Sequence, residues 1–432
     1  MPRRSEVTLT GAIAIGIGGM VGGGIFAVLG VAAEQAGGAT PVAFAVAGAI
    51  AALTAYSYSK LSVRYPTAGG TVTFIDRVFG VEPLTGGVNI VLWAGYIAAT
   101  GLYAAAFGHY AATLLPGDAE TSALAFKSLA VLGVLVPWII NLANAGLIAR
   151  TERAVVALKL TILLVVVAAG IPAATIDRLD PSSWSSPGAI VAAGMLIFVA
   201  YEGFELIANS SAEVRNPSHT LPRAYAWTIA IVVVLYVMIS AVVVASLTPA
   251  EIRASADFAL AEAASASLGG AGFTMVALSA VLATFSAINA TLYGTARLSF
   301  TLATEGELPP EFQQREWNQP IGLHITAVLG VAIAVGLPLE SISSLSSSIF
   351  LIVFGVVNLA AYRADHTTRV RRPISLAGFL GCVSSFVVLT AHNVRGDRQA
   401  LVVLVALISS ALVGETFVLR RRRQAQDDST GS

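Results

Sequence analysis

The run Gly16-Ile17-Gly18-Gly19-Met20-Val21-Gly22-Gly23-Gly24-Ile25-Phe26 lies inside an apolar segment from about Val7 to Ala33. A segment of that length crosses a bilayer, which takes roughly 20 apolar residues. Yet six of these eleven residues are glycine, and each costs a helix about 1 kcal/mol relative to alanine. A membrane helix interrupted at mid-depth leaves backbone groups that lipid cannot satisfy, so the interruption must face protein or a water-filled cavity. The freed N–H groups of Gly22, Gly23 and Gly24 would open a second half-helix and suit an anion. The freed carbonyls from Gly18 to Met20 would close the first half and suit a cation or an ammonium group. One break therefore offers both halves of a receptor for a zwitterion. The pairs Gly18/Gly22 and Gly19/Gly23 also fit the spacing for close helix packing, but six glycines exceed what packing needs. A dinucleotide-binding fingerprint fails, because Val21 stands where the third glycine belongs and no strand precedes it.

The remaining composition agrees with a membrane protein. Of 432 residues, 56% are hydrophobic and 12% charged, against about 25% charged in ordinary soluble domains. The single Cys382 sits in an apolar run and five scattered histidines show no HExxH spacing. Neither a disulfide framework nor metal catalysis is expected, and no cofactor is called for. The first apolar segment is too long for a cleavable signal peptide and lacks the small-residue exit.

Twelve spans follow from the apolar pattern, at about 8–35, 40–63, 86–115, 126–145, 153–175, 188–211, 223–247, 272–303, 322–338, 343–363, 373–393 and 399–419. With the N-terminus inside, cytoplasmic segments hold 19 of the 25 Lys and Arg, among them Arg3, Arg4, Arg64, Arg153, Arg369 and the Arg420–Arg423 cluster. External segments hold Lys127, Arg178, Arg253, Arg395 and Arg398. That asymmetry places both termini in the cytoplasm. The Arg420–Arg423 cluster suits anionic headgroups, and 424–432 is a polar tail with no reason to fold. Two loops, Arg64 to Gly80 and Glu305 to Gln319, are too short to be domains. Residues 1–432 therefore read as one transmembrane unit in the cell membrane. Its partners are the bilayer and a small molecule, with no nucleic acid; the sequence does not reveal an oligomeric state.

The sixth span carries a second anomaly. Gly194-Met195-Leu196-Ile197-Phe198-Val199-Ala200-Tyr201-Glu202-Gly203-Phe204-Glu205 places two glutamates at mid-span. An acidic residue at a membrane helix centre costs about 2.5–3.5 kcal/mol even on insertion scales. Pairing or a cavity lowers that cost, and a short break at Gly203 would supply the cavity. Glu34 follows Gly24 by ten residues, as Glu213 follows Gly203. Interrupted spans at matching places in two halves point to a transporter's binding site.

These residues carry a resemblance. Gly22-Gly23-Gly24-Ile25-Phe26 is similar to the G-[SA]-G-[IV]-F motif of the amino acid–polyamine–organocation family. Pro66-x-x-Gly69-Gly70, Phe198-x-Ala200-Tyr201-x-Gly203-Phe204-Glu205 and Glu213-Val214-x-Asn216-Pro217 with Leu221-Pro222-Arg223-Ala224 resemble further motifs of that family, in order. The resemblance implies an all-α membrane protein of twelve helices with the LeuT-type 5+5 inverted repeat and broken helices one and six. Repeat one would span about 8–175, repeat two about 188–363, with helices eleven and twelve peripheral at about 373–419. It implies that a substrate carboxylate binds the N–H groups of Gly22, Gly23 and Gly24. The α-ammonium would meet carbonyls near Met20 and across Val199, Ala200, Tyr201, Glu202 and Gly203. Tyr201 stands where the family often places an aromatic lid. Glu202 departs from the expected neutral residue, so it either favours a cationic side chain or faces water or a neighbouring helix. Glu205 matches the family's gating glutamate.

Lys159 lies inside span five, six residues past Arg153, or roughly 9 Å of helix, a marginal distance for snorkelling to an interface. It resembles the lysine that a proton-coupled branch of the family holds against the span-one break near Gly18, with H+ as the coupling ion. The expected function is therefore secondary active import of amino acids, with proton symport ahead of an amino acid/polyamine exchanger. A membrane-embedded enzyme would need a nucleophile–base pair or a metal motif at depth, and a channel a repeated pore loop; the sequence holds neither.

Overall fold

The computed structural model describes residues 7–80, 82–117, 122–144, 148–364 and 371–410. The chain there is built from helices: α1 (Leu9–Met20), α2 (Gly24–Ala36), α3 (Thr40–Arg64), α4 (Gly70–Phe79), α5 (Pro83–Ala112), α6 (Ala123–Asn144), α7 (Ile148–Gly170) and α8 (Pro187–Leu196). Then follow α9 (Leu206–Asn209), α10 (Pro217–Ser246), α11 (Pro249–Ala254), α12 (Ala259–Glu305), α13 (Ile321–Gly336), α14 (Leu339–Arg363) and α15 (Arg372–Arg395). Arg3, Arg4, Arg369, the Arg420–Arg423 cluster, the tail 424–432 and the end of the twelfth span lie outside the described residues.

Apolar helices stand at all twelve places where the sequence puts a span. Among the described residues nine are long and apolar enough to cross a membrane, and α1 with α2, bent by 50°, makes a tenth. The helices Ile321–Gly336 and Arg398–Ser410 are apolar but shorter. The chain is an all-α membrane protein. Its helix ends follow local chemistry. Proline opens α8, α10 and α11 at the first position, where its missing N–H would have no helical partner anyway. Thr248 and Glu251 close a reciprocal capping box at the start of α11, and Thr8 accepts from Gly11 N at 3.2 Å to start α1.

Burial sorts the spans. About nine-tenths of the residues in the core windows of Leu84–Ala112 and Pro187–Asn209 are buried, against 22% for Ala123–Leu142 and 33% for Ala154–Ala173. The third and sixth spans therefore run through the middle of the bundle. The fourth and fifth present long apolar faces outward, as Leu132, Ile139 and Leu164 show.

Four details differ from the sequence expectations. The interruption of span six is longer than a break at Gly203. Its α-helix ends at Leu196, a 3-10 segment covers Ile197–Tyr201, and a single helical turn resumes at Leu206–Asn209. The matching ten-residue spacings to Glu34 and Glu213 do not describe matching structure, because α2 is continuous over its 13 residues and the stretch after Gly203 is not. Span eight is the longer part of α12, which kinks at Gly269, where φ is +64°. The two inter-span loops also hold structure: α4 in the first, and in the second a hairpin pairing Arg315–Glu316 with Gln319–Pro320.

Candidate functional site

The two interruptions meet backbone to backbone. Gly203 has φ of +116°, a region that only glycine enters freely. A Cβ there would lie 2.6 Å from Met20 N, and one on Gly19 would lie 2.7 Å from Gly203 O. The glycines of both breaks thus remove the side chains that would hold the spans apart. Gly24 presses in the same way on span six, with Ala200 Cα 2.9 Å from where its Cβ would be.

Other spans supply the polar partners. From α10, Tyr236 donates to the Met20 carbonyl at 2.7 Å. From α14, Ser347 donates to Leu196 O at 2.7 Å and accepts from Val199 N at 2.9 Å, while Ser343 donates to Leu196 O at 2.7 Å. These serines repair the ladder where the α-helix of span six gives way to the 3-10 turn. From α5, Tyr103 donates to Glu202 Oε2 at 2.8 Å and Tyr96 to Glu205 Oε1 at 3.3 Å. Glu205 also accepts from Gly203 N at 2.8 Å, folding its carboxylate back over the break. The carboxyls of Glu202 and Glu205 lie within hydrogen-bonding reach of each other. Both are buried, so hydroxyl donors are what make the pair tolerable in the membrane.

A cavity of about 960 Å³ starts at this junction and runs along α1 to Thr10 and Gly11 at its beginning. Its inner end is lined by Gly18, Gly19 and Gly22 from span one, Glu202 and Gly203 from span six, and Tyr103 from α5. Val156, Lys159 and Leu160 from α7 and Ser286 and Asn289 from α12 complete the wall. Asn289 is anchored by Asn141 of α6, which donates to it at 2.8 Å. Beyond the break, along the first half of α2, the bundle is shut. Gly30 packs directly on the Ala256 carbonyl, Phe26 stands edge-on to Tyr110, and Tyr110 donates to Phe26 O at 3.3 Å. The cavity is thus open toward the beginning of α1 and closed on the α2 side of the break.

The residues singled out from the sequence divide on this geometry. Gly18, Gly22, Lys159, Glu202 and Gly203 line the cavity. Lys159 is only 2% exposed, so it turns into the bundle instead of snorkelling. Gly23 lies under the Tyr103 ring, whose Cδ1 would be 2.6 Å from its Cβ, and Gly24 lies under Ala200. Met20, Val199 and Ala200 are buried in the junction without lining the cavity. Glu205 sits one layer behind Glu202. Tyr201, expected as a lid, does not line the cavity. Its hydroxyl donates to Phe44 O at 2.8 Å and its ring packs 5.3 Å from that of Tyr236, on the side away from the cavity. The aromatic ring over the span-one turn is Tyr103, which sequence reading missed along with Tyr96 and Tyr236. Their tyrosines stand in ordinary apolar spans and nothing local marks them. The serines of α14 did leave a signal, since Ser341 to Ser348 holds six serines in a span.

An amino acid permease family model matches residues 7–412. The chain is 31% identical over 418 residues to the inner membrane transport protein YbaT of Escherichia coli (strain K12), covering 96% of each chain. It is 27% identical over 364 residues to the methylthioribose transporter of Bacillus subtilis (strain 168), covering 80% of this chain and 78% of that one. With the cystine/glutamate transporter of Pongo abelii it shares 28% identity over 314 residues, 71% of this chain and 62% of the other. Family and relatives are membrane transporters and not enzymes. Two touching helix breaks beside a one-sided cavity are what such a protein needs, and this chain belongs to the amino acid permease family.

Proposed function

We propose that this protein is a secondary active transporter that imports amino acids across the cell membrane by alternating access, coupled to protons and needing no cofactor. In this reading both termini are cytoplasmic, and the two breaks belong to inverted five-helix repeats within one transmembrane unit. The observation that carries it is the junction itself. The α2 N-terminus carries N–H groups that have no helical partner and suit an anion, and the end of α1 carries carbonyls that suit an ammonium. Gly18, Gly19 and Gly22 bring the turn between them to the head of the cavity, while Gly23 and Gly24 lie under Tyr103 and Ala200. Lys159 faces the same cavity, and Val156, one turn earlier on α7, comes 3.3 Å from where a Gly18 Cβ would be. Span five therefore rests on span one beside a titratable amine, which ties protonation to their separation.

Uptake into proteoliposomes, screened over amino acids and polyamines with and without a pH gradient, tests this. Free L-amino acids should accumulate when the outside is more acidic, without sodium, and a protonophore should collapse the gradient. Methyl esters and N-acetyl derivatives should not compete. Lys159→Ala should fold, since a neutral side chain is cheaper than a charge at that depth, and should lose the response to the pH gradient. Esters that compete as well as the parent amino acid would end the zwitterion reading.

A further inference from the structure

Glu202 stands where a receptor for a cationic side chain would be expected, yet its surroundings argue against that role. One carboxyl oxygen accepts from Tyr103 at 2.8 Å and the carboxyl is in reach of Glu205. Part of the carboxylate's accepting capacity is therefore already used within the protein, and a cation that displaced Tyr103 would strand a hydroxyl in the wall. The rest of the wall near the junction is mostly hydrocarbon, with Ile17, Val156, Leu160, Leu206, Ala287 and Ala290, and its other polar side chains there, Ser286 and Asn289, are neutral.

The Tyr103–Glu202 bond has a different consequence. The Tyr103 ring lies on Gly23, with Cδ1 only 2.6 Å from the position of a Cβ there, while its hydroxyl reaches span six. One side chain from α5 thus spans the two breaks. Glu202 fixes the tilt of that ring, and the ring forms the cover over the span-one turn.

We propose that the cavity takes zwitterionic amino acids with neutral, apolar side chains, and that Glu202 is a positioning residue that holds Tyr103 over the span-one turn. This rests on the amino acid reading above. It departs from that reading in the part played by the carboxylate, which serves the protein and not the substrate. Tyr103 from α5 donates to Glu202, Glu205 on the same span is in reach of it, and Lys159 lines the same cavity.

The test is a competition panel in proteoliposomes against whichever labelled amino acid is taken up, using leucine, valine, phenylalanine, lysine, arginine, glutamate and putrescine. Leucine-like amino acids should compete at least about tenfold better than lysine or arginine, a difference of 1.4 kcal/mol. Glu202→Gln keeps an acceptor for Tyr103, so it should leave the order of preference unchanged. Tyr103→Phe should raise KM for all neutral substrates by a similar factor, about tenfold, with kcat less affected. The inference is overturned if lysine or arginine competes as well as leucine in the native protein and loses that standing in Glu202→Gln. It is overturned equally if Tyr103→Phe changes nothing. Should Glu202→Gln fail to fold, the native panel and Tyr103→Phe still decide. A native protein for which no amino acid competes instead ends the amino acid reading itself.

Discussion

The two interrupted spans reach the same junction by different means. In span one, two true α-helices of 12 and 13 residues end and begin within a few residues, and the chain between them turns because glycine allows it. Its main outside polar support is Tyr236 on the Met20 carbonyl. In span six the helix decays over more than a turn, from Leu196 through the 3-10 segment to Glu205, and hardly resumes. There the opened backbone is held by side chains from elsewhere, Ser343 and Ser347 above all, and the carboxylates by Tyr96 and Tyr103. Span one is a hinge made by what its residues lack. Span six is an irregular strut made by what its neighbours provide. One therefore has its own pivot, whereas the other keeps its shape only while α5 and α14 stay in place.

That contrast predicts an order of sensitivities. Gly203→Ala should do the most damage, because its positive φ and its contact with the Gly19–Met20 backbone leave no room to yield. Stability should fall by more than about 4 kcal/mol, seen as loss of monodisperse protein on heating in detergent; a well-folded variant would mean that the two breaks do not need to touch. Ser347→Ala comes next, at about 1–3 kcal/mol, since it orphans the buried Val199 N–H. A melting curve indistinguishable from the native one would show that span six supports itself. Tyr236→Phe should cost about 1 kcal/mol by the same measurement, because the hinge loses a single hydroxyl; a larger loss than for Ser347→Ala would reverse the comparison. Gly18→Ala should be nearly silent, within about 0.5 kcal/mol, as its Cβ would meet only Val156 Cγ2, at 3.3 Å. The neighbouring Gly19→Ala, aimed at Gly203 O, should not be silent, and similar melting curves for these two would remove the distinction between lining glycine and contact glycine.

The contrast also explains what the sequence could reveal. A hinge built from glycine announces itself, since six glycines in an apolar span have few other uses, and the family motifs fall on the same residues. The membrane spans are equally legible, because hydrocarbon dictates their length and composition. The strut is another matter. Glu202 and Glu205 signal an anomaly by their charge, but their partners come from helices about 100 residues earlier, and the serines from about 150 residues later. Apolar spans carry almost no periodicity to say which face looks inward, so Tyr201 and Tyr103 are indistinguishable on paper. Only packing shows that the first turns to Phe44 and the second to the cavity.

The 50° bend between α1 and α2 has a consequence best put as leverage. α2 extends about 18 Å from Gly24 to Ala36 at 1.5 Å per residue, with Gly30 about half-way along. A tilt of only about 10° at the glycine turn would carry Ala36 through about 3 Å and Gly30 through about 1.5 Å, on the same rise per residue. Gly30 rests on the Ala256 carbonyl with no side chain between them, so even the smaller displacement breaks that contact. The seal at Gly30 is thus mounted on the arm of a lever whose fulcrum is the glycine turn, and small adjustments at the fulcrum are magnified where the seal has least slack.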